Sequence, residues 1–514
     1  MSSTPHFRTL PDILALHARR TPQATALQFE GRTTTWERWQ ARAAQVAQAL
    51  LARGLPRGAR VGYLGKNSDQ FFHVFFGAAR ASLVTVPVNW RLTAGEIAYI
   101  VDDAGCTVLF VGADHLPLVP ELRRRCPKLE EVVCVDGAAE DIPHLEDWLG
   151  SSPGQEPEVT VREDDVALQL YTSGTTGEPK GAQLTHRALL FGASLGGTEA
   201  LGRWRSDDVS VLPLPLFHAG GLVYGLNGPY AGCTTVIVRE AQPALILAAC
   251  REAPAPVTRL GVVPAVLQML LAHPGFDARA FESLRTLTYG GAPASPLLLR
   301  RAVSAFGPVL VQLFGMTETC TIGTALLPED HGDPDHPQRL SSCGRPLPGV
   351  EVRTVDADGR PLPSGESGEI VIRCPAVMAG YWHRDEENAR VLREGWYHTG
   401  DVGYFDADGY LYIQDRLKDM IVSGGENVYP AEVERVLGEH PAVAEVAVFG
   451  VPDPTWGEAV KAAVVLRPGH TASADDLIAF ARRCLAGYKC PKSVDFHQAL
   501  PRNASGKLLK RQLR

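Results

Sequence analysis

The stretch ARVGYLGKNSDQFFHVFFGAARASLVTVPVN, residues 59–89, sets the architecture. Ala59–Gly65 and Leu83–Asn89 are short apolar runs rich in branched side chains, which is the pattern of buried strands. Between them, Asp69–Ala81 carries its apolar residues at helical spacing and reads as an amphipathic helix. Cys106–Gly112 repeats the strand pattern, and Leu10–Arg20 reads as a leading helix. Strand, helix and strand in alternation predict an α/β fold built on largely parallel sheets.

Outward from this core, 514 residues exceed one compact core and predict several domains. The net charge of −8 excludes a general nucleic-acid binder. The ten cysteines show no CxxC spacing, so neither a zinc site nor a disulfide framework is expected. The N-terminus lacks the pattern of a signal peptide, and no apolar run approaches the length of a membrane span. A cytoplasmic enzyme is the expectation, and a homodimer is the base-rate expectation for its assembly.

After about Ser341 the texture changes. Gly368–Pro375 and Gly403–Arg416, with Asp-Ala-Asp-Gly turns at Asp356–Gly359 and Asp406–Gly409, predict β-hairpins and a β-rich subdomain. Beyond Lys418 the chain reads as a small α+β unit: a helix at Pro430–Glu439, strands near Val443–Val451 and Ala459–Leu466, and a helix after Ser473. The expected domains are therefore 1–417 and 418–514.

The chemistry starts at YTSGTTGEPKG, Tyr171–Gly181. Glycines let successive amides turn inward, hydroxyls add donors and Lys180 adds charge, which together make an anion-binding nest. The spacing is not that of the P-loop, because Lys180 lies between Pro179 and Gly181. A bare run of small polar residues would read as a surface loop.

The full string resembles the signature loop of the adenylate-forming superfamily, which includes acyl- and aryl-CoA synthetases. Further motifs follow in that family's order: PLFHAGG (Pro215–Gly221), YGGAP (Tyr289–Pro293), QLFGMTET (Gln312–Thr319), YHTGDVG (Tyr397–Gly403), DRLKDMIVSGGENVYP (Asp415–Pro430) and PRNASGKLLKRQLR (Pro501–Arg514). The resemblance implies a large N-terminal domain and a small mobile C-terminal domain. It also implies a set of roles. Thr172, Ser173, Gly174, Thr175, Thr176, Gly177 and Lys180 would hold the ATP phosphates. Gly291, Ala292, Pro293, Gln312, Phe314, Gly315 and Thr317 would surround adenine and AMP, Phe314 standing where family members usually carry Tyr. Glu318 would hold Mg²⁺, a cation that takes oxygen ligands and few protein carboxylates. Asp401 and Arg416 would bind ribose, and a carboxylate with two acceptor oxygens suits a vicinal diol. Phe217, His218, Gly221, Tyr289 and Gly290 would line the acid pocket. Lys418 would be the hinge, Gly424 and Gly425 the entry for the CoA arm, and Lys507 the catalytic lysine. His218, Thr317 and Glu318 complete the catalytic set.

What the resemblance implies is a carboxylic acid–CoA ligase using ATP, Mg²⁺ and CoA. Amino-acid adenylation fits less well, since those enzymes usually place an Asp after the pocket aromatic, where this chain has His218. An acyl-AMP ligase serving a carrier protein is another reading, and a non-catalytic nucleotide binder is disfavoured by Glu318, Asp401, Arg416 and Lys507. The pocket is expected near 217–224, 288–292 and 313–323, and within it Ala219–Gly228 and Thr319–Gly323 are apolar or small and carry no basic side chain, which favours an acid with an uncharged tail. A fatty acid is expected ahead of a cinnamate- or benzoate-like acid.

Overall fold

The computed structural model describes the chain apart from residues 1–6, 138–139, 151, 153, 173–177, 417–420, 424–425, 454–456, 486, 503–507 and 514. It falls into two compact units, residues 1–352 with 372–397, and residues 353–371 with 398–514.

The first unit is α/β with two large sheets. In one, Thr25–Phe29, Thr234–Ile237, Val209–Leu212, Arg259–Val262, Thr286–Gly290 and Leu310–Phe314 run parallel in that spatial order. Antiparallel strands close its edges: Arg32–Thr35 on one side, Thr324–Leu326 and Arg345–Pro346 on the other. In the second sheet, Glu131–Cys134, Val108–Val111, Arg60–Leu64, Val84–Val88 and Val166–Thr172 are parallel neighbours. Lys180–Thr185 and the short Gly380–Tyr381 extend it antiparallel. The strand–helix–strand reading of residues 59–89 thus holds.

The helix between those strands, Asp69–Arg80, corrects one expectation. It is buried on nearly every side rather than amphipathic. It contacts Thr25–Phe29 of the first sheet and Val84–Val88 of the second, and packs along the helix Trp36–Leu51. Trp39 meets Phe72 and Phe76 edge-on, with ring centroids 5.8 and 4.8 Å apart. With neighbours on all flanks no polar face is needed, and the polar residues that remain are paired, as Asp69 is with Arg32 at 2.8 Å.

The strand Trp396–Phe405, in the second unit from His398 onward, turns back onto Leu411–Arg416, with Phe405 opposite Leu411. The turn is built as its sequence predicts: Asp406 Oδ1 accepts from the amides of Asp408 and Tyr410, and Gly409 takes φ +80°. Further on, Ile421–Ser423 and Glu426–Val428 form a hairpin, followed by the helix Pro430–Gly438, the antiparallel pair Val443–Asp453 and Gly457–Leu466, the helix Ala474–Cys484 and the strand Ser493–Phe496. The core of this α+β part is Val433, Leu437, Val448, Val460, Val464 and Leu477.

Candidate active site

The strands on either side of the glycine- and threonine-rich segment, Val166–Thr172 and Lys180–Thr185, pair as a β-hairpin. Thr172 lies directly opposite Lys180, and Tyr171 opposite Gly181, so the hairpin ends where the loop begins. Ser173, Gly174, Thr175, Thr176 and Gly177 lie outside the described residues. Lys180 Nζ is 2.9 Å from Glu387 Oε1 and 5.4 Å from the ring centre of Tyr381. Glu387 stands on the helix Asp385–Val391 and also accepts from Arg390. Burial would raise its pKa, but the two cations outweigh this and hold it below the usual carboxylate range.

Glu318 follows the strand Leu310–Phe314 in a tight turn. Thr319 N and Thr321 N both donate to Met316 O, at 3.1 and 2.8 Å. Cys320 and Thr321 take φ +50° and +64°, a left-handed pair that bends the chain back on itself. Gly315 makes room for this turn, since a Cβ there would lie 2.2 Å from the carbonyl carbon of Thr321. Glu318 is 8% exposed and Tyr381 7%, and the Tyr381 hydroxyl donates to Glu318 Oε1 at 2.6 Å. Met378 N donates to Glu318 O at 2.8 Å, tying the two segments together. Among the described residues no group of three or more His, Cys, Asp or Glu could hold a metal by itself. A single buried carboxylate with one oxygen engaged by a hydroxyl does fit Mg²⁺, which binds through one or two carboxylates together with substrate phosphates and water. Thr317 opens the same turn.

Tyr289 and Gln312 are register neighbours at the C-terminal ends of adjacent parallel strands, the position where open α/β sheets bind ligands. Tyr289 OH lies 2.8 Å from His331 Nε2 and 3.3 Å from Gln312 Oε1. His331 Nδ1 lies 2.7 Å from Leu327 O. A carbonyl only accepts, so Nδ1 carries the proton and Nε2 accepts from Tyr289. Burial lowers the pKa of His331 and raises that of Tyr289. No local pattern in the sequence marks His331 for this part. Gly290 is explained by its neighbour strand, because a Cβ would lie 2.5 Å from Leu313 O. Gly291, Ala292 and Pro293 are exposed, and Phe314 and Gly315 partly buried.

In the segment expected to border the acid, the rings of Phe217 and His218 lie 4.5 Å apart and tilted by 56°, and His218 is the N-cap of the helix Ala219–Ala231. Burial first, then the Arg91 guanidinium, lower the His218 pKa to about 4, so its imidazole is neutral near pH 7. Arg91 is exposed and lies over the rings of Trp90 and Phe217, at 4.7 and 5.6 Å. Trp90 meets Phe217 edge-on at 6.3 Å. Gly221 is required by the backbone, since a Cβ would fall 2.1 Å from Pro215 O. Buried Asn67 pins this segment from a distance: its amide donates to Leu214 O and Val238 O at 2.9 and 3.0 Å, and its oxygen accepts from Leu216 N at 3.0 Å. Sequence reading missed Asn67, Trp90 and Arg91, which lie far from the PLFH motif in the chain.

In the second unit, Asp401 pairs in register with Arg416, so the hairpin brings the two expected ribose residues opposite each other. Asp401 is 6% exposed, and its amide donates to Thr399 Oγ1 at 3.0 Å. The Arg416 side chain, Lys418, Gly424, Gly425 and Lys507 lie outside the described residues. Among their described neighbours, Ser423 pairs with Glu426, and Leu508 bridges to Arg502.

Lys180, at the end of the hairpin that flanks the hydroxyl-rich segment, and the buried Glu318 both meet Tyr381. The chain belongs to the AMP-binding enzyme family: residues 14–382 match the AMP-binding enzyme model and residues 432–507 its C-terminal domain. It is thus an adenylate-forming acid–thiol ligase, a class that works with ATP, Mg²⁺ and CoA. A fatty acid–[acyl-carrier-protein] ligase of Streptomyces coeruleorubidus is 40% identical over 513 residues, covering 99% of this chain and 96% of that protein. A feruloyl-CoA synthase of an Amycolatopsis species is 40% identical over 498 residues, covering 97% and 96%. Among solved structures, the o-succinylbenzoate CoA synthetase of Bacillus subtilis in complex with its acyl-adenylate intermediate superposes with a TM-score of 0.86 at 32% identity, covering 98% of each chain. No helix among the described residues is long and apolar enough to cross a membrane.

Proposed function

We propose that this enzyme joins a medium- or long-chain fatty acid to CoA in the cytoplasm. In the first step a carboxylate oxygen attacks the α-phosphorus of ATP, forming the acyl–phosphate bond and expelling pyrophosphate. In the second, the CoA thiol gives up its proton and its sulfur attacks the acyl carbon, releasing AMP. The observation that carries the reading is that Lys180, at the base of the hydroxyl-rich loop, and the buried Glu318 both contact Tyr381.

In this reading Thr172, Ser173–Gly177 and Lys180 hold the β- and γ-phosphates, which leave as pyrophosphate. Glu318 would hold Mg²⁺, which would supply charge neutralisation at the phosphates. Thr317 reaches the phosphates, while Gln312, Phe314 and the 291–293 turn flank adenine, and Asp401 and Arg416 hold ribose. Catalysis of this kind is mostly positioning and charge neutralisation. Lys507 supplies a cation between carboxylate and α-phosphate, where a lysine of ordinary pKa, about 10.4, stays charged. Residues 418–514 then form the mobile domain, Lys418 its hinge, with Gly424–Gly425 admitting the CoA arm in the second step.

An uncharged tail is supported by the neutral imidazole of His218 and the apolar ring of Phe217, with Arg91 exposed at their edge rather than buried among them. The fatty acid ligase of S. coeruleorubidus supports an alkyl tail. An aryl acid is the second reading, favoured by the Trp90–Phe217 ring pair and the feruloyl-CoA synthase relative. The test is AMP release with ATP, Mg²⁺ and CoA across acids from acetate to palmitate, with benzoate, cinnamate and ferulate. CoA-dependent release peaking at alkyl acids is expected. A ferulate or cinnamate optimum would transfer the assignment to the aryl class, and pyrophosphate exchange without thioester would point to a carrier-protein acceptor.

A further inference from the structure

The hydroxyl of Tyr381 has one proton and the structure shows where it goes, to Glu318 Oε1 at 2.6 Å. Its lone pairs accept a hydrogen bond from Tyr397. The order is therefore Tyr397 to Tyr381 to Glu318, a directed chain that ends on the carboxylate.

The backbone of Tyr381 is held on both sides. It pairs with Ala182, and Gly380 with Gln183, on the strand that begins at Lys180. Asn388 brackets it, accepting from Tyr381 N at 2.6 Å and donating to Tyr381 O at 2.9 Å. The same ring lies 5.4 Å from Lys180 Nζ. One side chain thus touches the lysine at the base of the phosphate loop and the carboxylate proposed for the metal.

We infer that Tyr381 is a positioning residue for the metal: its hydroxyl fixes Glu318 by one oxygen, so that the other would be the one to hold Mg²⁺, while its ring sets the distance from that carboxylate to Lys180. This rests on the reading of Glu318 as the Mg²⁺ carboxylate. A partner behind a metal ligand typically accounts for about 10–100-fold in metal affinity.

The test uses Mn²⁺, which shares the oxygen preference of Mg²⁺, titrated by electron paramagnetic resonance into the full-length enzyme with α,β-methylene-ATP. Tyr381→Phe keeps the ring and removes the hydroxyl. It is expected to weaken Mn²⁺ binding by about 10–100-fold, to leave the KM for the acid unchanged, and to regain pyrophosphate exchange as Mg²⁺ is raised. Tyr397→Phe should give a smaller loss in the same direction. Mn²⁺ affinity of Tyr381→Phe within about two-fold of wild type would overturn the inference, and so would a loss that excess metal does not restore. Glu318→Gln separates the two claims. If it binds Mn²⁺ as the wild type does, the metal assignment itself falls. If it loses the ion while Tyr381→Phe keeps it, only the role of Tyr381 falls.

Discussion

Replacing Gly315 by alanine tests how the strand Leu310–Phe314 delivers Glu318. The new Cβ would lie 2.2 Å from the Thr321 carbonyl carbon, 2.3 Å from its oxygen and 2.6 Å from Ile322 N. All three are backbone atoms, so no side chain can rotate away. Restoring ordinary contact requires the turn to move by about 1 Å. It has little slack, because Cys320 and Thr321 already sit at positive φ, at a cost of roughly 1 kcal/mol or more each. Overpacking of this kind costs about 1–3 kcal/mol in stability. The functional loss should be larger in effect, since a misplacement of about 1 Å at a reacting group can cost about 10²-fold in rate. Urea unfolding would report the first quantity and acid-dependent ATP–pyrophosphate exchange the second. Exchange within about three-fold of wild type, with an unchanged unfolding midpoint, would refute the argument that the closeness of Gly315 to Thr321 places Glu318.

Glu387→Gln frees Lys180 from a partly buried ion pair worth about 1 kcal/mol, so the KM for ATP should fall by up to about five-fold; a rise would mean that Glu387 orients the lysine rather than competing with the phosphates. His73, His186 and His218 are each lowered to about 4, chiefly by burial. Their unfolded pKa is about 6.5, so the stability they confer is complete above that pH and is lost as the pH falls from there towards 4, by on the order of 2 kcal/mol per residue at pH 5. His186→Asn, which retains an acceptor for Leu10 N, should therefore show a shallower fall in unfolding free energy between pH 7 and 5 than wild type, measured by urea titration at each pH; parallel profiles would contradict this. Lys507→Ala should abolish acyl-AMP formation yet convert supplied acyl-AMP to thioester, and equal loss of both half-reactions would remove the two-position role of that lysine.

The parts legible in the sequence were those whose cause is local. Strands at residues 60–64 and 84–88 announce themselves by composition, and the turn at Asp406–Gly409 by an Asx oxygen and a glycine with positive φ. The order of the motifs led to the family. What was not legible depends on distant neighbours. The helix Asp69–Arg80 lost its expected polar face because strands from two sheets and another helix cover it. Asn67, His331, Tyr381 and Arg91 carry no local signature, and their parts appear only when Leu214, Tyr289, Glu318 and Phe217 are brought to them. The glycines taught a related lesson. Gly290 and Gly315, expected beside acid and adenine, are each also required by backbone that crowds them from within the protein.

The central claim is that the acid is activated as an acyl adenylate. The most direct measurement supplies a carboxylic acid labelled with ¹⁸O in both carboxyl oxygens, together with ATP, Mg²⁺ and CoA, and follows the label by mass spectrometry. Attack on the α-phosphorus followed by thiolysis must leave one labelled oxygen in AMP per thioester formed, and none in pyrophosphate. Label in inorganic phosphate, accompanied by ADP, would show activation at the γ-phosphate and contradict the account.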